Sequence, residues 1–401
     1  MPENESMTVD ERYKYLRILH PRYAGADRAT RTRLLDEAAQ VTGLNRKYLC
    51  HLLNRPGPIR RPRLRQRGPH YSGQVLHAVA VVAEALDWIC AERLQPALAQ
   101  TAVHLARFGA LDLTPRLQEE LEALSVSTVS RMLKRLRQDQ PRLPQRRGRA
   151  STGLTAQIPA GRLPWNLTAP GYFELDLVHH CGPETRADYV CTLQWIDVAT
   201  GWSERVAVLG RSHRAMIQAF DQVVSRCPFP IRAIHPDNGS EFLNHPLLAH
   251  FGQRVQGAQV TRSRPWQKND NRFVEQKNAT LVRALLGDLR LTTLAQCRLL
   301  NQIYTASWVY YNLFQPVLRQ TAKTYTQTPA GAPRVHRGHD VAASPYARLV
   351  RSGALSPQAT EDLAAIYDVT NPLALRREIR SQLAQLYALA QHPTREEEGM
   401  G

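Results

Sequence analysis

The sequence is short of several things, and each shortage excludes a class of protein. It has no long apolar run. The longest apolar-rich stretch, Val75–Leu86, is interrupted by His77 and Glu84 and is far too short to span a bilayer. The start, Met-Pro-Glu-Asn-Glu-Ser, has neither a basic n-region nor an apolar h-region, so a secretory signal is not expected. Six cysteines are scattered through 401 residues with no Cys-x-x-Cys pair, which argues against a disulfide framework or a zinc knuckle. His179, His180, Cys181 and Cys191 match no zinc spacing. Lysine is scarce too: only six of the 52 basic residues are Lys. With 43% hydrophobic and 22% charged residues, the composition is that of a folded, multidomain chain. These shortages lead to the expectation of a soluble, intracellular chain.

The formal net charge is +17 against 35 acidic residues, and the excess is uneven. Residues 1–150 carry 26 basic and 15 acidic side chains, residues 151–320 carry 17 and 12, and residues 321–401 carry 9 and 8. A basic N-terminal third points to a polyanion partner held there, and arginine forks suit phosphates and guanine edges. Arg55–Gly68 has six Arg, four Pro or Gly before Gly68 and no acid, and Gln140–Gly153 is similar. Both read as linkers. In the first, Arg60, Arg61, Arg63, Arg65 and Arg67 are expected to track a DNA backbone.

The linkers divide the chain into regions 1–54, 55–71, 72–139, 140–168, 169–320 and 321–401. In the first, Leu34, Leu35, Ala38 and Val41 follow the helical period, Gly43 supplies a turn, and Leu44, Leu49, Leu52 and Leu53 mark a second helix. This is a helix-turn-helix pattern in which Asn45, Arg46, Lys47 and His51 would face a groove. A second such pattern runs from Thr114 to Gln138. Pro115 opens one helix, Ser127 caps the next, and Thr128, Ser130, Arg131, Lys134 and Arg135 point outward.

Residues 170–320 change character. Tyr172–His179, Tyr189–Val198 and Trp202–Leu209 are short β-forming runs, followed by alternating helices and strands, which indicates a mixed α/β layer fold. Residues 344–353, 357–367 and 372–390 read as helices, giving a small helical C-terminal region whose near-neutral charge favours protein contact over DNA contact.

Three acids stand out. Asp176 lies mid-strand in FELDLV, Asp237 ends a strand in IHPDNGSEF, and Glu275 opens a helix in WQKNDNRFVEQKN. Asp197, Asp270 and Asp288 read instead as a turn former and solvated helix-end charges. A lone acid in an apolar strand is costly unless paired or metal-bound. Acids on a strand, a strand end and a covering helix can converge at one sheet edge. Hard cations such as Mg2+ take carboxylate oxygens, and two ions about 4 Å apart can clamp an in-line phosphoryl transfer.

The order and context of these acids resemble the DDE transposases of bacterial insertion sequences, which have a retroviral-integrase-type catalytic core. The matching stretches are ELD around Asp176, PDNGSEFLN around Asp237 and TRSRPWQKNDNRFVEQKN leading to Glu275, over about residues 170–320. The resemblance implies an RNase H-like core with a five-stranded mixed sheet and helices on both faces, and Mg2+-dependent strand transfer using two ions, which Mn2+ can replace. It makes Asp176, Asp237 and Glu275 the catalytic, metal-binding triad, with Asn238 and Gly239 shaping the turn. It puts Lys268, Lys277 and Arg283 near DNA phosphates. Ala279 stands where the family has a basic residue, and no His-His-Cys-Cys module precedes residue 150.

The expectation is therefore a DNA transposase, and the resemblance implies a prokaryotic cytoplasm and association with the nucleoid. It would bind terminal inverted repeats, cleave the 3′ ends and join them to double-stranded target DNA as a homo-oligomer, with no membrane partner. A purely hydrolytic RNase H-like nuclease and a non-catalytic DNA-binding regulator are the alternatives.

Overall fold

The structure, a computed structural model, describes residues 7–55, 71–136, 160–161, 167–183, 188–236, 245–263, 272–327 and 333–391. It divides into two compact units, Met1–His70 and Tyr71–Gly401.

In the first unit are α1 (Val9–Ala24), α2 (Arg28–Thr42) and α3 (Arg46–Leu53). Each begins where a side chain satisfies the free amides of a first turn. Thr8 and Glu11 form a reciprocal capping box on α1, Asp27 caps α2, and Asn45 caps α3. Gly43 ends α2 at φ 68°, a left-handed conformation that glycine adopts without a Cβ penalty. Leu16, Leu19, Tyr23, Leu34, Leu35, Ala38, Leu49 and Leu53 form the unit's core.

The second unit opens with α4 (Gly73–Ala85), α5 (Ala91–Leu94), α6 (Leu98–Ala106), α7 (Pro115–Glu122) and α8 (Val126–Leu136). Strands and helices then alternate: β1 (Ala160–Gly161), β2 (Tyr172–His179), β3 (Val190–Asp197), β4 (Ser203–Leu209), α9 (His213–Arg226), β5 (Ala233–Pro236), α10 (His245–Arg254), β6 (Gln259–Val260) and β7 (Arg262–Ser263). Next comes one helical stretch made of α11 (Arg272–Lys277), a π-helical segment Asn278–Arg283 and α12 (Ala284–Leu286). It is followed by α13 (Leu294–Val309), which continues as a π-helical segment Tyr310–Phe314.

The central sheet is mixed and five-stranded, in the order β4-β3-β2-β5-β6. β2, β3 and β4 are antiparallel neighbours, and β5 and β6 run parallel to β2. Alternation along each strand gives the sheet two unlike faces. On one, Phe173, Leu175, Leu193, Trp195, Val206 and Val208 pack against Met216 and Phe220 of α9 and Leu247 and Phe251 of α10. On the other, Val178 and Ala207 pack against Val282, Leu286, Leu300 and Ile303. The expectation of helices on both faces of a mixed sheet holds.

Gly171 starts β2 at φ 110°, and a Cβ there would sit 2.5 Å from the Pro230 carbonyl oxygen, so only glycine fits. Asp197 was read as a turn former, but its role is larger. Fully buried, it accepts hydrogen bonds from Gly171 N (2.8 Å), Tyr172 N (3.2 Å), Thr200 N (2.8 Å) and Thr200 Oγ1 (2.7 Å), which lock the start of β2 to the β3–β4 turn. Burial pushes its carboxyl above the usual carboxylate range, against the pull of those donors.

The C-terminal region differs from the purely helical expectation. A two-stranded antiparallel hairpin, β8 (Gln320–Gln327) with β9 (Pro333–His339), precedes α14 (Pro345–Ser352), α15 (Pro357–Val369) and α16 (Pro372–Gln391). The hairpin escaped the sequence reading because its strands lack apolar alternation. α16 is built into the core: Ile379, Leu383 and Leu386 join the cluster of Val178 and Ala207. Buried Arg376 donates from Nε (3.0 Å) and Nη2 (2.8 Å) to Asp87 Oδ1, just after α4. Among the described residues, no helix is long and apolar enough to cross a membrane.

Candidate active site

β2 delivers two acids to one face of the sheet, Glu174 and Asp176, two residues apart. Their surroundings differ. Glu174 is buried, and its Oε2 accepts the backbone amides of Phe273 (2.7 Å) and Val274 (3.0 Å) in the first turn of α11. A carboxylate on a helix N-terminus meets unpaired amides and the positive end of the helix dipole. Charge-assisted bonds of this kind contribute about 1.5–3 kcal/mol each. Glu174 thus pins the helix that carries Glu275 to the strand that carries Asp176.

Asp176 is half-buried. Its Oδ1 accepts Leu177 N (2.9 Å), and its Oδ2 accepts Nδ2 of Asn278. The two contacts made by the helix are consistent in length. From Phe273 to Asn278 the helix rises about 7.5 Å. From Glu174 to Asp176 the strand advances about 6.6 Å. The helix therefore lies along the strand, touching it at both ends of this span.

Glu275 is exposed, in the first turn of α11 and three residues before Asn278. Residues three apart share a helix face. Glu275 therefore stands on the face whose next turn touches Asp176. Asp237, with Asn238 and Gly239, lies outside the described residues. β5 leads toward it and ends at Pro236, which is in register with Leu175, the residue before Asp176. Among the described residues, no three His, Cys, Asp or Glu side chains gather closely enough to hold a metal.

Hard oxygen donors nevertheless dominate this edge. Beside the two carboxylates, Asn278 presents a buried Oδ1 with no hydrogen-bond partner. An oxygen-rich site with an orphaned amide oxygen suits Mg2+ or Mn2+ in kind. The His-Cys group binds otherwise. His179 Nδ1 lies 3.5 Å from Cys191 Sγ, and His180 Nε2 lies 2.7 Å from Thr192 Oγ1. Burial, with the charges of His179 and Arg283 nearby, lowers the His180 pKa to about 3.

The basic residues singled out from the sequence occupy varied places. Arg46 is half-exposed and donates to Asp36 of α2 at 2.7 Å. Asn45 is engaged as the cap of α3, accepting Lys47 N at 2.9 Å, and Lys47 is exposed beside it. Arg131 bonds within its own helix, to Ser127 O (3.3 Å) and Thr128 Oγ1 (3.1 Å), while Lys134 is exposed. Ser125, rather than Ser127, accepts the first-turn amide of Thr128 at 3.3 Å. Lys277 lies over the Tyr311 ring at 5.2 Å, and Arg283 is half-buried. Arg60, Arg61, Arg63, Arg65, Arg67, Lys268 and Asp270 lie outside the described residues.

Sequence reasoning passed over Glu174 and Asn278. The signal for Glu174 was present: a second acid two positions before Asp176, on the same face of an apolar strand. Nothing in the sequence marks Asn278 apart from its spacing from Glu275.

No model of a known protein family matches the chain. Among solved structures, the HTLV-2 integrase catalytic core domain, in complex with magnesium and in dimeric form, aligns at TM-score 0.28 and 18% identity, over 37% of this chain and 90% of that one. The catalytic core domain of BIV integrase aligns at TM-score 0.29 and 15% identity, over 46% and 95%. The sequence relationship to one bacterial protein is much firmer, at 36% identity over 319 residues, 79% of this chain and 90% of the relative. On that relationship, the chain belongs to the same family as the uncharacterized protein y4rM of Sinorhizobium fredii (strain NBRC 101917 / NGR234).

Proposed function

We propose that the chain is a DNA transposase whose reaction takes place at the sheet edge marked by Asp176. The observation that carries the reading is the helix-to-strand clasp: Glu174 holds the first turn of α11 and Asp176 holds Asn278, with Glu275 between those contacts. This draws an acid on a strand and an acid on a helix to one edge, toward which β5 brings the chain just before Asp237.

In this reading Asp176, Asp237 and Glu275 hold divalent cations, two Mg2+ or Mn2+ ions. When bound, such ions stabilise the charge that builds on the scissile phosphate. The chain's own residues do the rest. Asn278 orients Asp176 through one carboxylate oxygen. Glu174 fixes the helix so that Glu275 is pre-positioned rather than ordered at the moment of reaction. Lys277, Arg283 and Lys268 would meet DNA phosphates. Water would attack the bond at each 3′ end of the element, and the freed 3′ hydroxyl would then attack a target phosphodiester. No covalent protein intermediate is required.

End recognition is assigned to helix-turn-helix elements formed by α2–α3 and α7–α8, with Arg46, Lys47, Arg131 and Lys134 at the DNA and Arg60–Arg67 tracking its backbone. Two ends must be brought together, so a homo-oligomer on DNA is expected.

The test is incubation of the full chain with Mg2+ and duplexes bearing the inverted repeats that flank its gene. Recessed 3′ ends and branched joint products are the expected result. Cleavage of random duplex without joining would point to a nuclease instead.

A further inference from the structure

The sheet face that carries Asp176 holds polar groups that this reading does not use. Across the three antiparallel strands, Asp176, Gln194 and Arg205 stand opposite one another in a single row. Gln194 and Arg205 are both buried. Neither Oε1 nor Nε2 of Gln194 has a hydrogen-bond partner, and neither does Nη2 of Arg205.

The helices above the row add more such atoms, Ser307 Oγ and Tyr311 Oη, beside the Asn278 Oδ1 already described. Tyr304, whose hydroxyl meets Thr192 Oγ1 of this face at 2.6 Å, sets its helix over the sheet, and Lys277 lies over the Tyr311 ring. Asn278 bonds Asp176. Arg205 Nη1 donates to Leu281 O at 3.2 Å, and its guanidinium lies 5.3 Å from the Tyr304 ring centroid. Ser307 and Tyr311 follow Tyr304 along the same helix.

Native proteins pair nearly all buried polar atoms, and an unpaired one costs about 1–3 kcal/mol. A buried guanidinium asks for more. Glu204, its chain neighbour, cannot serve from its own side of the sheet, where it accepts from Trp202 Nε1 (2.8 Å), Trp308 Nε1 (2.7 Å) and Arg226 Nε (2.6 Å). Along the row, the acid facing Arg205 is Asp176, and Gln194 separates them.

We propose that this layer is a hydrated relay and that Gln194 and Arg205 are positioning residues for Asp176. Ordered water molecules satisfy the orphaned atoms, each with the two to four polar partners that a buried water needs. The Gln194 amide accepts on the side of Arg205 and donates on the side of Asp176, so the guanidinium's positive field steadies the carboxylate in its ionised, oriented form. The inference rests on Asp176 acting in the proposed reaction.

The test compares the full-length Gln194→Met and Arg205→Met variants with wild type and with Asp176→Asn. Met keeps the volume of Gln and removes both orphaned atoms. A positioning role predicts that Gln194→Met keeps or raises the melting temperature and leaves binding to element ends unchanged. It also predicts that Mn2+ affinity and single-turnover cleavage each fall about tenfold or more, as is usual when groups that orient metal ligands are removed. A high-resolution crystal structure should show water bonded to Gln194 and to Arg205 Nη2. A dry layer would overturn the proposal. So would a Gln194→Met protein that loses stability yet keeps wild-type Mn2+ affinity and cleavage when measured below its melting temperature. If Asp176→Asn is inactive while Gln194→Met is fully active, the relay fails and the active-site reading stands. If Asp176→Asn is itself active, the active-site reading fails.

Discussion

The two faces of the central sheet obey different rules. One is an aromatic interior: Trp195 meets Phe173 edge-on at 5.6 Å and Phe220 at 5.1 Å, and Phe229 stacks on Phe173 at 5.7 Å. Its strand positions are buried and mostly apolar, with Glu204 the acid among them on β4. The other face is half apolar and half polar. Toward α13 and α16 it is built from Val178 and Ala207, while toward α11 it is built from Glu174, Asp176, Gln194 and Arg205. Polar groups are costly inside a protein. Both faces hold buried polar side chains, but the acids on the aromatic side, Asp197 and Glu204, are hydrogen-bonded in full, whereas Gln194 and Arg205 on the other keep atoms without partners. Substitutions should therefore divide by face, those on the aromatic side altering stability and those on the polar side altering chemistry.

The largest expected effect lies on the polar side. Asp176→Asn, Asp237→Asn and Glu275→Gln each keep size and remove the charge that would hold a cation. Each should lower cleavage and joining at least about a thousandfold, roughly 4 kcal/mol in barrier, with end binding and melting temperature little changed. Activity within about tenfold of wild type for any one of them would blur the contrast between the faces.

Trp195→Ala makes the complementary statement. Removing a fully buried ring should destabilise the second unit by about 3–5 kcal/mol. Denaturant unfolding measures it, and a cost below about 1 kcal/mol would show that the aromatic face is not the stabilising one.

Glu174 sits on the boundary, structural in form but placed beside the site. Glu174→Leu leaves the Phe273 and Val274 amides without their acceptor and should cost about 1–3 kcal/mol. Hydrogen exchange should rise in α11 before it rises in β3. Uniform exchange across both would remove Glu174 from its role as the clasp.

His180 gives the polar face a pH signature. Its pKa falls from 6.5 to about 3 on folding, so between those values the unfolded chain binds a proton that the folded chain refuses. Stability is therefore fully present above about pH 6.5 and declines on acidification toward pH 3, by up to about 1.4 kcal/mol per pH unit. Unfolding curves at pH 7.0 and 5.5 should differ by roughly 1 kcal/mol from this group, and His180→Gln should reduce the difference.

The smallest effect concerns the first unit. Arg46 is shared between Asp36 and the proposed DNA contact, and an exposed pair of this kind is worth at most about 1 kcal/mol. Arg46→Ala should leave folding nearly unchanged and weaken binding to element ends more than binding to random duplex. Arg63→Ala, in the linker, should weaken both and lower the salt slope by about one unit. An unchanged preference for element ends in Arg46→Ala would remove α3 from recognition.

Much of the second unit could be read from local pattern. The three antiparallel strands announce themselves by β-branched and aromatic runs, and α7 by Pro115 at its first turn. Asp176 stood out because an acid in an apolar strand demands an explanation. What stayed hidden depends on register. Gln194 and Arg205 become neighbours of Asp176 only once three strands are aligned. Asn278 matters only because α11 lies along β2. The hairpin β8–β9 lacks the apolar alternation that marks a half-buried strand, and Asp197 looked like a turn residue alone because only its Thr200 donors are local, while Gly171 N and Tyr172 N reach it from 26 and 25 residues away.

In the proposed reaction Asp176, Asp237 and Glu275 share one cation site at the edge of the polar face. A crystal structure of the full chain soaked with Mn2+, with anomalous scattering recorded, tests it most directly. Manganese peaks bounded by all three carboxylates beside Asn278 are the expected result. The carboxyl carbons of any two of these acids standing more than roughly 10 Å apart in an ordered core, with no manganese between them, would contradict it.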